Sequence, residues 1–476
     1  MSPASRAVGT FWAVIERLGQ RFFGFVFVIL IARFAGPESF GVVAPVLVYF
    51  FFFEQCILNV LRRRLILVED LSREDHAFCL ALAYGLATVG LGLCLTVAAA
   101  IHWAEGDAQF AELLVLGCVL TFIKASASPH HAQLMRDFKF RYIAMVSVLA
   151  TLCGGGLGLW LAQAGYGPYA VLAYQGVTFL VEAIGLAFAA RGVMVPRLPR
   201  GQWARHRKFL RPIFVSETMF FVGGRSEVMV LVFFLSEAAL GSYFLARRYI
   251  DTVAEILNSS LANIAFSTYS RADSDEALAD ARSFFLMVAM SLALPSFLGL
   301  MTIAPEVVQL TLGPQWAEAE GLLTLLCLLG IPFAAGRVAM AFLIATEAYR
   351  PVLILSRLSL VVNLGSIVAA ASFGVVAVIW ALILSHGVMA ALGMRYVAQR
   401  VAFRQNDLWR SAAAPGLATA AMVAAIELLP AMGGAAATVG ASIAVGAAVY
   451  AAAIVVLNPS LTHALSRRVA SGTPAE

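Results

Sequence analysis

The stretch from residue 78 to residue 101 decides the fold, and it reads FCLALAYGLATVGLGLCLTVAAAI. It contains no Asp, Glu, Lys or Arg. About 20 consecutive apolar residues in a helix cross the hydrocarbon core of a bilayer, where the backbone must satisfy its hydrogen bonds internally. This stretch therefore predicts a transmembrane helix.

The composition extends this prediction to the whole chain. Of the 476 residues, 61% are hydrophobic and only 13% are charged, and the mean hydropathy is +0.86. A soluble chain carries roughly a quarter charged residues, most of them on its surface. This chain lacks such a polar surface, so we expect an all-α, polytopic membrane protein.

The same length criterion predicts about fourteen transmembrane helices. Their approximate spans are residues 11–34, 40–60, 78–101, 111–130, 142–163, 169–190, 212–235, 240–267, 284–305, 321–346, 351–372, 374–396, 412–430 and 437–457. Lys and Arg test this arrangement, because cytoplasmic loops are enriched in both. With the N-terminus inside, the inside segments, together with Arg357 and Arg395 near the inside ends of their spans, hold 25 of the 33 Lys and Arg residues. Only Arg33, at the end of the first span, is assigned to the outside. We therefore expect both termini in the cytoplasm.

A basic, proline-containing loop divides the predicted helices. Residues 191–211 hold seven Lys or Arg residues, and anionic lipid head groups explain this charge better than a nucleic acid does. We expect an N-terminal six-helix bundle over residues 1–190, a cytoplasmic linker over this loop, and a second six-helix bundle over residues 212–400. An additional helix pair rich in Ala and Gly follows over residues 401–457, and residues 458–476 form a cytoplasmic tail.

The two predicted bundles resemble each other. Phe40-Gly41 follows the first span and Leu240-Gly241 follows the seventh, at an offset of 200 residues. Trp103-Ala104-Glu105 and Trp316-Ala317-Glu318 open the outside loops before the fourth and tenth spans. An even number of helices in each bundle makes this a parallel repeat, with a pseudo-axis along the membrane normal.

Apart from Arg33 at the outside end of the first span, five arginines fall within the first, seventh and eighth predicted spans. They are Arg17, Arg21, Arg225, Arg247 and Arg248. An ionisable group inside the bilayer is costly, and it faces a cavity or a partner. Arginines that line a cavity indicate an anionic cargo, because the guanidinium group binds phosphate through two parallel hydrogen bonds. The alternative is a structural role, since Arg17 and Arg247 lie near span ends and can extend to the interface.

Acidic residues accompany these arginines in the predicted spans. The candidates are Glu54, Glu217, Glu227, Asp251 and Glu255, and the fourth and sixth spans also contain Lys124 and Glu182. Arg248 and Asp251 have a spacing that allows an ion pair within one helix. The acids are candidates either for proton or sodium coupling or for structural ion pairs, and both interpretations stay open at this point.

The sequence contains no motif typical of an enzyme or a cofactor site. It has no Gly-rich phosphate loop, nucleotide-binding motif or zinc-ligand spacing, and none of its six cysteines forms a Cys-x-x-Cys pair. His130-His131 is the nearest approach to a ligand pair. Adjacent residues of a helix point in different directions, so we interpret both as polar residues at the membrane interface. We expect no catalysis, no cofactor and no metal.

Five motifs, in the same order along the chain, resemble the Wzx-type oligosaccharide flippases of bacteria. They are Ala32-Arg33-Phe34-Ala35-Gly36-Pro37-Glu38-Ser39-Phe40-Gly41, Arg136-Asp137-Phe138-Lys139-Phe140-Arg141, Arg225-Ser226-Glu227, Leu240-Gly241-Ser242-Tyr243 and Leu312-Gly313-Pro314-Gln315-Trp316. The resemblance covers most of residues 1–400. It places the chain in the multidrug/oligosaccharidyl-lipid/polysaccharide exporter superfamily, whose core is two bundles of six helices.

The resemblance implies a function in the synthesis of a surface polysaccharide, such as O-antigen or exopolysaccharide. Members of the family move undecaprenyl-diphosphate-linked sugar units across the bacterial inner membrane. Arg17, Arg21, Arg225 and Arg247 or Arg248 would line a cationic cavity for the diphosphate. The implied partners are this lipid-linked oligosaccharide, membrane lipids and the machinery for polysaccharide polymerisation and chain length, and not a nucleic acid. The chain departs from the family at Glu227, where the motif often reads Arg-x-Asp.

Two other functions are alternatives to an alternating-access flippase. A cation-coupled multidrug exporter of the same superfamily usually has acidic and aromatic residues in its pocket. The charges of the first, seventh and eighth spans are nearly balanced, so the order of the motifs is what favours the flippase. A non-transporting scaffold for a glycan-assembly complex predicts that substitutions in the cavity are silent.

Overall fold

The computed structural model describes residues 3–105, 108–190, 195–402, 407, 409–430 and 434–458. It describes side chains from residue 19 onward, apart from those of residues 101–105, 258–260 and 262–263. Over the described residues the regular structure is helical, without strands. The prediction of an all-α fold is confirmed.

Fifteen α-helices follow one another in this part of the chain. They are α1 (Pro3–Phe52), α2 (Asn59–Leu67), α3 (Arg73–Glu105), α4 (Ala108–Arg136), α5 (Phe140–Gln163), α6 (Pro168–Ala189), α7 (Gln202–Leu231), α8 (Glu237–Tyr269), α9 (Asp275–Thr302), α10 (Ala304–Thr311), α11 (Ala317–Ala345), α12 (Tyr349–Ala371), α13 (Val375–Arg400), α14 (Ala414–Glu427) and α15 (Ala435–Leu457). A π-helical turn, Phe53–Leu58, joins α1 to α2, and a second one, Trp409–Ala413, precedes α14.

Among the residues that the structure describes, ten helical segments are long and apolar enough to cross a membrane. The first of them, Gly19–Leu67, has 49 residues, which is about 74 Å of helix at 1.5 Å per residue and more than one bilayer crossing needs. The ten do not include α7 and α8, which carry several charged residues, or α14, which has 14 residues. The chain is a multi-pass membrane protein, and the count of fourteen spans stays a prediction.

Gly36 interrupts α1 where the first predicted span gives way to the second. Its φ angle is 80°, which glycine adopts without the steric penalty that a side chain brings. Pro37 follows it and has no N–H for the helical hydrogen bonds. The chain is helical on both sides of Gly36, so two helices meet at a sharp kink, at the predicted break between the first two spans and without an intervening loop.

The chain divides into two compact units, Met1–Gly241 and Ser242–Glu476. The first unit includes α7, although the predicted division assigns residues 212–400 to a second bundle. The helix α7 also begins at Gln202, within the predicted linker 191–211, and residues 191–194 of that linker lie outside the described residues. The predicted division into six, six and two helices therefore stays a prediction, as does the tail, of which only residue 458 is described.

Close glycine contacts build the first unit around α5. A Cβ atom on Gly154 would collide with the Tyr174 carbonyl in α6, and one on Gly155 would collide with the Phe27 ring in α1. Small residues of this kind let transmembrane helices approach closely, and the resulting packing holds them together in lipid. The glycines at these two positions thus allow α5 to pack tightly against both α1 and α6.

A buried polar network ties the start of α7 to α2 and α3. Asp75 accepts from the backbone N–H of Ser72 at 2.8 Å, and Ser72 Oγ accepts from the Asp75 N–H at 3.2 Å, so the two form a capping box at the start of α3. Arg64 Nε donates to His206 Nδ1 at 2.8 Å. His206 Nε2 therefore carries the proton and donates to Asp75 Oδ1 at 2.8 Å. Burial lowers the pKa of His206, which keeps the imidazole neutral.

Polar contacts in the second unit fasten the C-terminal helices to α9. Arg282 of α9 donates to the Asp407 carboxylate at 2.7 Å and to the Val401 carbonyl at 2.5 Å. Tyr450 of α15 donates to the Ser291 carbonyl of α9 at 2.7 Å. The Ala- and Gly-rich helices α14 and α15 are thus held by directional bonds as well as by the packing of small residues.

The predicted repeat coincides with a reciprocal contact in the first unit. A Cβ atom on Gly41 would collide with the Glu237 backbone, and one on Gly241 would collide with the Pro37 carbonyl. Residues 37 and 41 are separated from 237 and 241 by the same 200-residue offset that the sequence shows. Each segment therefore meets the other in the same way, as in contacts across a two-fold axis.

Candidate functional site

The predicted cationic residues are distributed over both units. Arg17 lies in α1, and its side chain is outside the described residues. Arg21 follows one turn later and is half-buried. Arg225 lies in α7 of the first unit, whereas Arg247 and Arg248 lie in the part of α8 that belongs to the second unit.

Arg225 of α7 lies against an aromatic ring of α1. Its guanidinium carbon is 4.9 Å from the centroid of the Phe51 ring, a distance at which a cation and an aromatic face attract each other. Glu227, two residues later, is buried. The ring contact fixes the position of the Arg225 guanidinium beside α1.

The ion pair within α8 joins Arg247, and not Arg248, to Asp251. Arg247 Nε is 3.1 Å from Asp251 Oδ1, at a spacing of four residues. Arg247 is 6% exposed, whereas Arg248 is half-buried and Glu255 is exposed. The spacing also allows Arg248 to pair with Asp251, but the carboxylate pairs with the more buried Arg247. A buried guanidinium that loses its counter-ion destabilises the fold more than an accessible one does.

Three helices of the second unit meet around Arg247. Its guanidinium carbon is 5.6 Å from the centroid of the Phe333 ring in α11. The His386 ring of α13 packs edge-on against the same phenyl ring, with the centroids 4.7 Å apart. The aromatic ring and Asp251 together determine where this charge lies in the second unit.

Four charged residues of the first unit form a cluster that the sequence analysis did not predict, and we call it the ion cluster. Its members are Glu54, Arg62, Lys124 and Glu182. Arg62 Nη2 is 2.5 Å from Glu54 Oε1. Lys124 Nζ is 2.7 Å from Glu182 Oε2 and 3.7 Å from Glu54 Oε2. Two acids thus meet two bases, and the formal charges cancel.

The ion cluster is assembled by elements that are distant in sequence. Glu54 lies in the π-helical turn Phe53–Leu58, a distortion that is frequent at functional sites. Lys124 of α4 and Glu182 of α6 are 58 residues apart, and the Lys124 ammonium also lies 4.9 Å from the Phe179 ring centroid. The sequence identified Glu54 as a candidate acid and noted the other two, but no local spacing indicated that they meet.

The remaining predicted acid, Glu217 of α7, forms an ion pair with α2. Its carboxylate lies 2.7 Å from Arg63 Nη1 and accepts from Gln55 at 3.5 Å. The Arg63 side chain is 56% exposed, and exposed ion pairs contribute about 1 kcal/mol or less to stability. We interpret Glu217 as a residue that positions α7 rather than as a coupling group.

The sequence matches a known family and a characterised relative. Residues 30–321 match the family described as polysaccharide biosynthesis protein. The chain is 27% identical over 332 residues to the succinoglycan biosynthesis transport protein ExoT of Rhizobium meliloti. That match covers 68% of this chain and 65% of the relative, so the chain spans just under two thirds of the relative's length.

Solved structures share the fold. The lipid II flippase MurJ, in an inward closed conformation, superposes with a TM-score of 0.77 over 94% of this chain and 99% of that chain, at 14% identity. An inward-facing multidrug resistance MATE family transporter of the MOP superfamily superposes with a TM-score of 0.62 over 82% of this chain and 98% of that chain, at 16% identity. At these identities the likeness concerns the fold alone.

The helices and their arrangement define a polytopic membrane protein with the fold that these transporters share. Within that class, the chain belongs to the polysaccharide biosynthesis protein family, because the family match covers more than half of its length. The family resemblance drawn from the five sequence motifs is confirmed.

Proposed function

We propose that the protein is a flippase for oligosaccharide units linked to undecaprenyl diphosphate. It moves them from the cytoplasmic to the periplasmic leaflet of the bacterial inner membrane. The observation that carries the proposal is membership of a polysaccharide biosynthesis family. Similarity to a succinoglycan biosynthesis transport protein and a fold shared with a lipid II flippase support it.

The chemistry of such a cargo explains why its movement needs a protein. Sugar hydroxyls and a diphosphate lose their hydrogen bonds to water inside hydrocarbon, at a cost of several kcal/mol for each group. A polytopic protein can offer a polar passage for the head while the polyprenyl tail remains in lipid. Movement of this kind makes and breaks no covalent bond, in keeping with relatives that are named as a transport protein and a flippase.

The arginines of α1, α7 and α8 are the proposed diphosphate ligands. Arg225 and Arg247 each contact an aromatic ring, which restricts the guanidinium before cargo arrives. Arginine binds phosphate oxygens through two parallel, charge-assisted hydrogen bonds. Arg21 and Arg248 are the further candidates, and the acids Glu227 and Asp251 serve to orient these cations.

The proposed mechanism is alternating access, by movement of one predicted six-helix bundle against the other. Related transporter folds move one bundle against the other around a fixed site, so that the cargo faces first one side of the membrane and then the other. The distribution of Lys and Arg supports cytoplasmic termini. A polymerase and chain-length machinery would then use the translocated oligosaccharide at the periplasmic face.

A reconstituted system tests the proposal directly. Purified protein is placed in liposomes that contain undecaprenyl-diphosphate oligosaccharide with a fluorescent label, and a membrane-impermeant quencher reports how fast the label changes leaflet. The wild-type protein is expected to accelerate the exchange over protein-free liposomes. Equal rates with and without protein would contradict the proposed function.

Variants of Arg21 and Arg225 test the role of the arginines. Arg21→Ala and Arg225→Ala are each expected to lower the rate about tenfold or more, since a hydrogen bond to a charged group contributes about 1.5–3 kcal/mol. The matched control is Arg357→Ala, which removes an exposed arginine from α12. Wild-type rates in both test variants would contradict the cationic site and leave the flippase proposal intact.

A cation-coupled multidrug exporter is the second candidate, because the fold is also that of a MATE family transporter. Deletion of the gene in its own host separates the two candidates. An exporter predicts greater drug susceptibility with normal surface polysaccharide, whereas a flippase predicts loss of the polysaccharide with unchanged susceptibility.

A further inference from the structure

The first unit contains a crevice that the proposed transport does not use. It has a volume of about 440 Å³, within the range of sites that hold small molecules. It lies between α3, α4 and α6. Apolar side chains such as Phe122, Leu180 and Ile184 form most of its wall, and Tyr84, Ser126 and His130 supply polar groups.

His130 distinguishes this crevice from an ordinary gap between helices. The residue is 4% exposed, and its Nδ1 atom is buried without a hydrogen-bond partner. A buried polar group without a partner costs about 1–3 kcal/mol. A bound molecule that forms a hydrogen bond with the imidazole would offset this cost, so the residue points to a ligand with an oxygen atom at this depth.

The position of His130 along α4 indicates what kind of oxygen that is. It lies six residues before the end of α4 at Arg136, about 9 Å along the helix axis. The head-group layer on each side of a bilayer is about 5–7 Å thick. With this end of α4 on the cytoplasmic side, as proposed above, His130 lies where the ester groups of a phospholipid meet the acyl chains.

The walls of the crevice open towards lipid, and arginines lie near the starts of the neighbouring helices α3 and α5. Leu180 and Ile184 are exposed on the outer surface of α6. Arg197 is exposed and donates its backbone N–H to the Ala77 carbonyl, at the start of α3. Arg141 is exposed at the start of α5. Anionic head groups of the cytoplasmic leaflet are attracted to such residues.

We propose that this crevice binds one anionic phospholipid of the cytoplasmic leaflet. One acyl chain lies between α3 and α6, and the imidazole of His130 supplies an N–H donor for an ester or phosphate oxygen of the lipid. The proposal rests on the orientation given under the proposed function and is independent of the cargo.

Native mass spectrometry tests lipid retention. The protein is released from nanodiscs of phosphatidylcholine that contain a minor fraction of phosphatidylglycerol, and the lipids that stay bound are counted. Ala187→Trp fills the crevice from a half-exposed position, and this variant is expected to retain one phosphatidylglycerol fewer than the wild type. Equal retention by the two proteins would overturn the proposal.

The control variant is Ala99→Trp, which adds the same bulk at an exposed position of α3. Ala99 lines a different groove, of about 530 Å³, between α3 and α4. This variant is expected to retain lipid like the wild type. If it loses phosphatidylglycerol to the same extent as Ala187→Trp, the lipid binds non-specifically to the lipid-facing surface, and the crevice is not a specific lipid-binding site.

His130→Phe separates lipid binding from folding. Phenylalanine keeps a ring in place and removes the unpaired nitrogen, so the thermal stability in phosphatidylcholine alone is expected to be equal or higher. Phosphatidylglycerol stabilises the wild type by mass action, and the variant is expected to lose this shift in Tm. An unchanged shift would overturn the role of His130. Normal lipid retention in a protein that fails the flipping assay would contradict the proposed function alone.

Discussion

Lys124 shows how the interior of this membrane protein holds a charge. Its ammonium lies between the carboxylates of Glu182 and Glu54, at 2.7 Å and 3.7 Å. Arg62 supplies the second positive charge at Glu54. Removing one partner of a buried ion pair leaves the other uncompensated and costs about 3–5 kcal/mol.

The ion cluster therefore predicts a large effect of Lys124→Met on stability. The free energy of unfolding is expected to fall by about 3 kcal/mol, measured by denaturation in detergent micelles. The double variant with Glu182→Gln is expected to recover part of this loss, because no uncompensated carboxylate then remains beside the methionine.

An exposed lysine provides the control. Lys139 pairs with Asp137 at 3.1 Å, and both side chains are more than two-fifths exposed, so Lys139→Met is expected to change stability by less than about 1 kcal/mol. Equal effects of the two lysine substitutions would show that the ion cluster is not a stabilising unit.

At the scale of helices, His206 at the start of α7 makes the stability of the fold depend on pH. Burial lowers the pKa of His206, so the folded protein keeps the imidazole neutral. Below the ordinary histidine pKa of about 6.5, the unfolded chain binds a proton that the folded chain excludes. Stability is therefore expected to fall as the pH drops from about 7 towards the lowered pKa.

Thermal unfolding at pH 7.5 and pH 5.5 measures this dependence. His206→Gln keeps a side chain that can accept from Arg64 and donate to Asp75, but it does not titrate. The variant is expected to lose less Tm than the wild type between the two pH values. An identical loss in both proteins would assign the pH dependence to other groups.

The helices themselves were the part of the fold that the sequence could predict. The apolar stretch 78–101 lies within α3, and α5, α6, α12 and α13 match predicted spans closely, because the bilayer imposes a local rule on every segment. The π-helical turn Phe53–Leu58 was not predicted. It depends on packing against other helices, which hydropathy does not encode.

For the candidate site, the sequence predicted individual charged residues but not the contacts between them. A charge within an apolar span stands out, so Glu54, Arg225 and Arg247 were identified from the sequence alone. Which partners they contact was not predictable, because those partners are brought together by the tertiary fold. Lys124 and Glu182, for example, meet across two helices. Within α8 the spacing allows Asp251 to pair with Arg248, whereas in the structure the more buried Arg247 forms the ion pair.

At the scale of the whole molecule, the sequence carries the signature of a repeat, and the two repeated segments meet within the first unit. The reciprocal contact of Gly41 and Gly241 reproduces the 200-residue offset in space. The number of transmembrane spans and the side of the membrane on which each loop lies form a single prediction. Each additional crossing moves every later loop to the opposite side of the membrane.

Cysteine labelling tests this topology. In a variant without native cysteines, Tyr166→Cys and Phe373→Cys are expected to react from the periplasm with a membrane-impermeant maleimide. Lys139→Cys and Arg350→Cys are expected to react only after the membrane is made permeable. All four positions are exposed in the structure, so poor access does not explain a negative result.

A reversed pattern at Phe373 alone would show an odd number of crossings between residues 166 and 373. A reversed pattern at all four positions would place both termini in the periplasm. Either outcome would contradict the predicted arrangement of fourteen spans.

The ion cluster also bears on how the protein responds to voltage. With Glu54, Glu182, Arg62 and Lys124 all ionised, their charges sum to zero. Carrying one uncompensated elementary charge through a membrane potential of 100 mV involves about 2.3 kcal/mol. A group of charges that cancel can shift within that field with little net electrical work. The resting potential therefore neither drives nor resists a movement of the ion cluster. Any voltage dependence of the proposed transport is expected to come from charges outside the ion cluster, foremost those of the proposed diphosphate cargo.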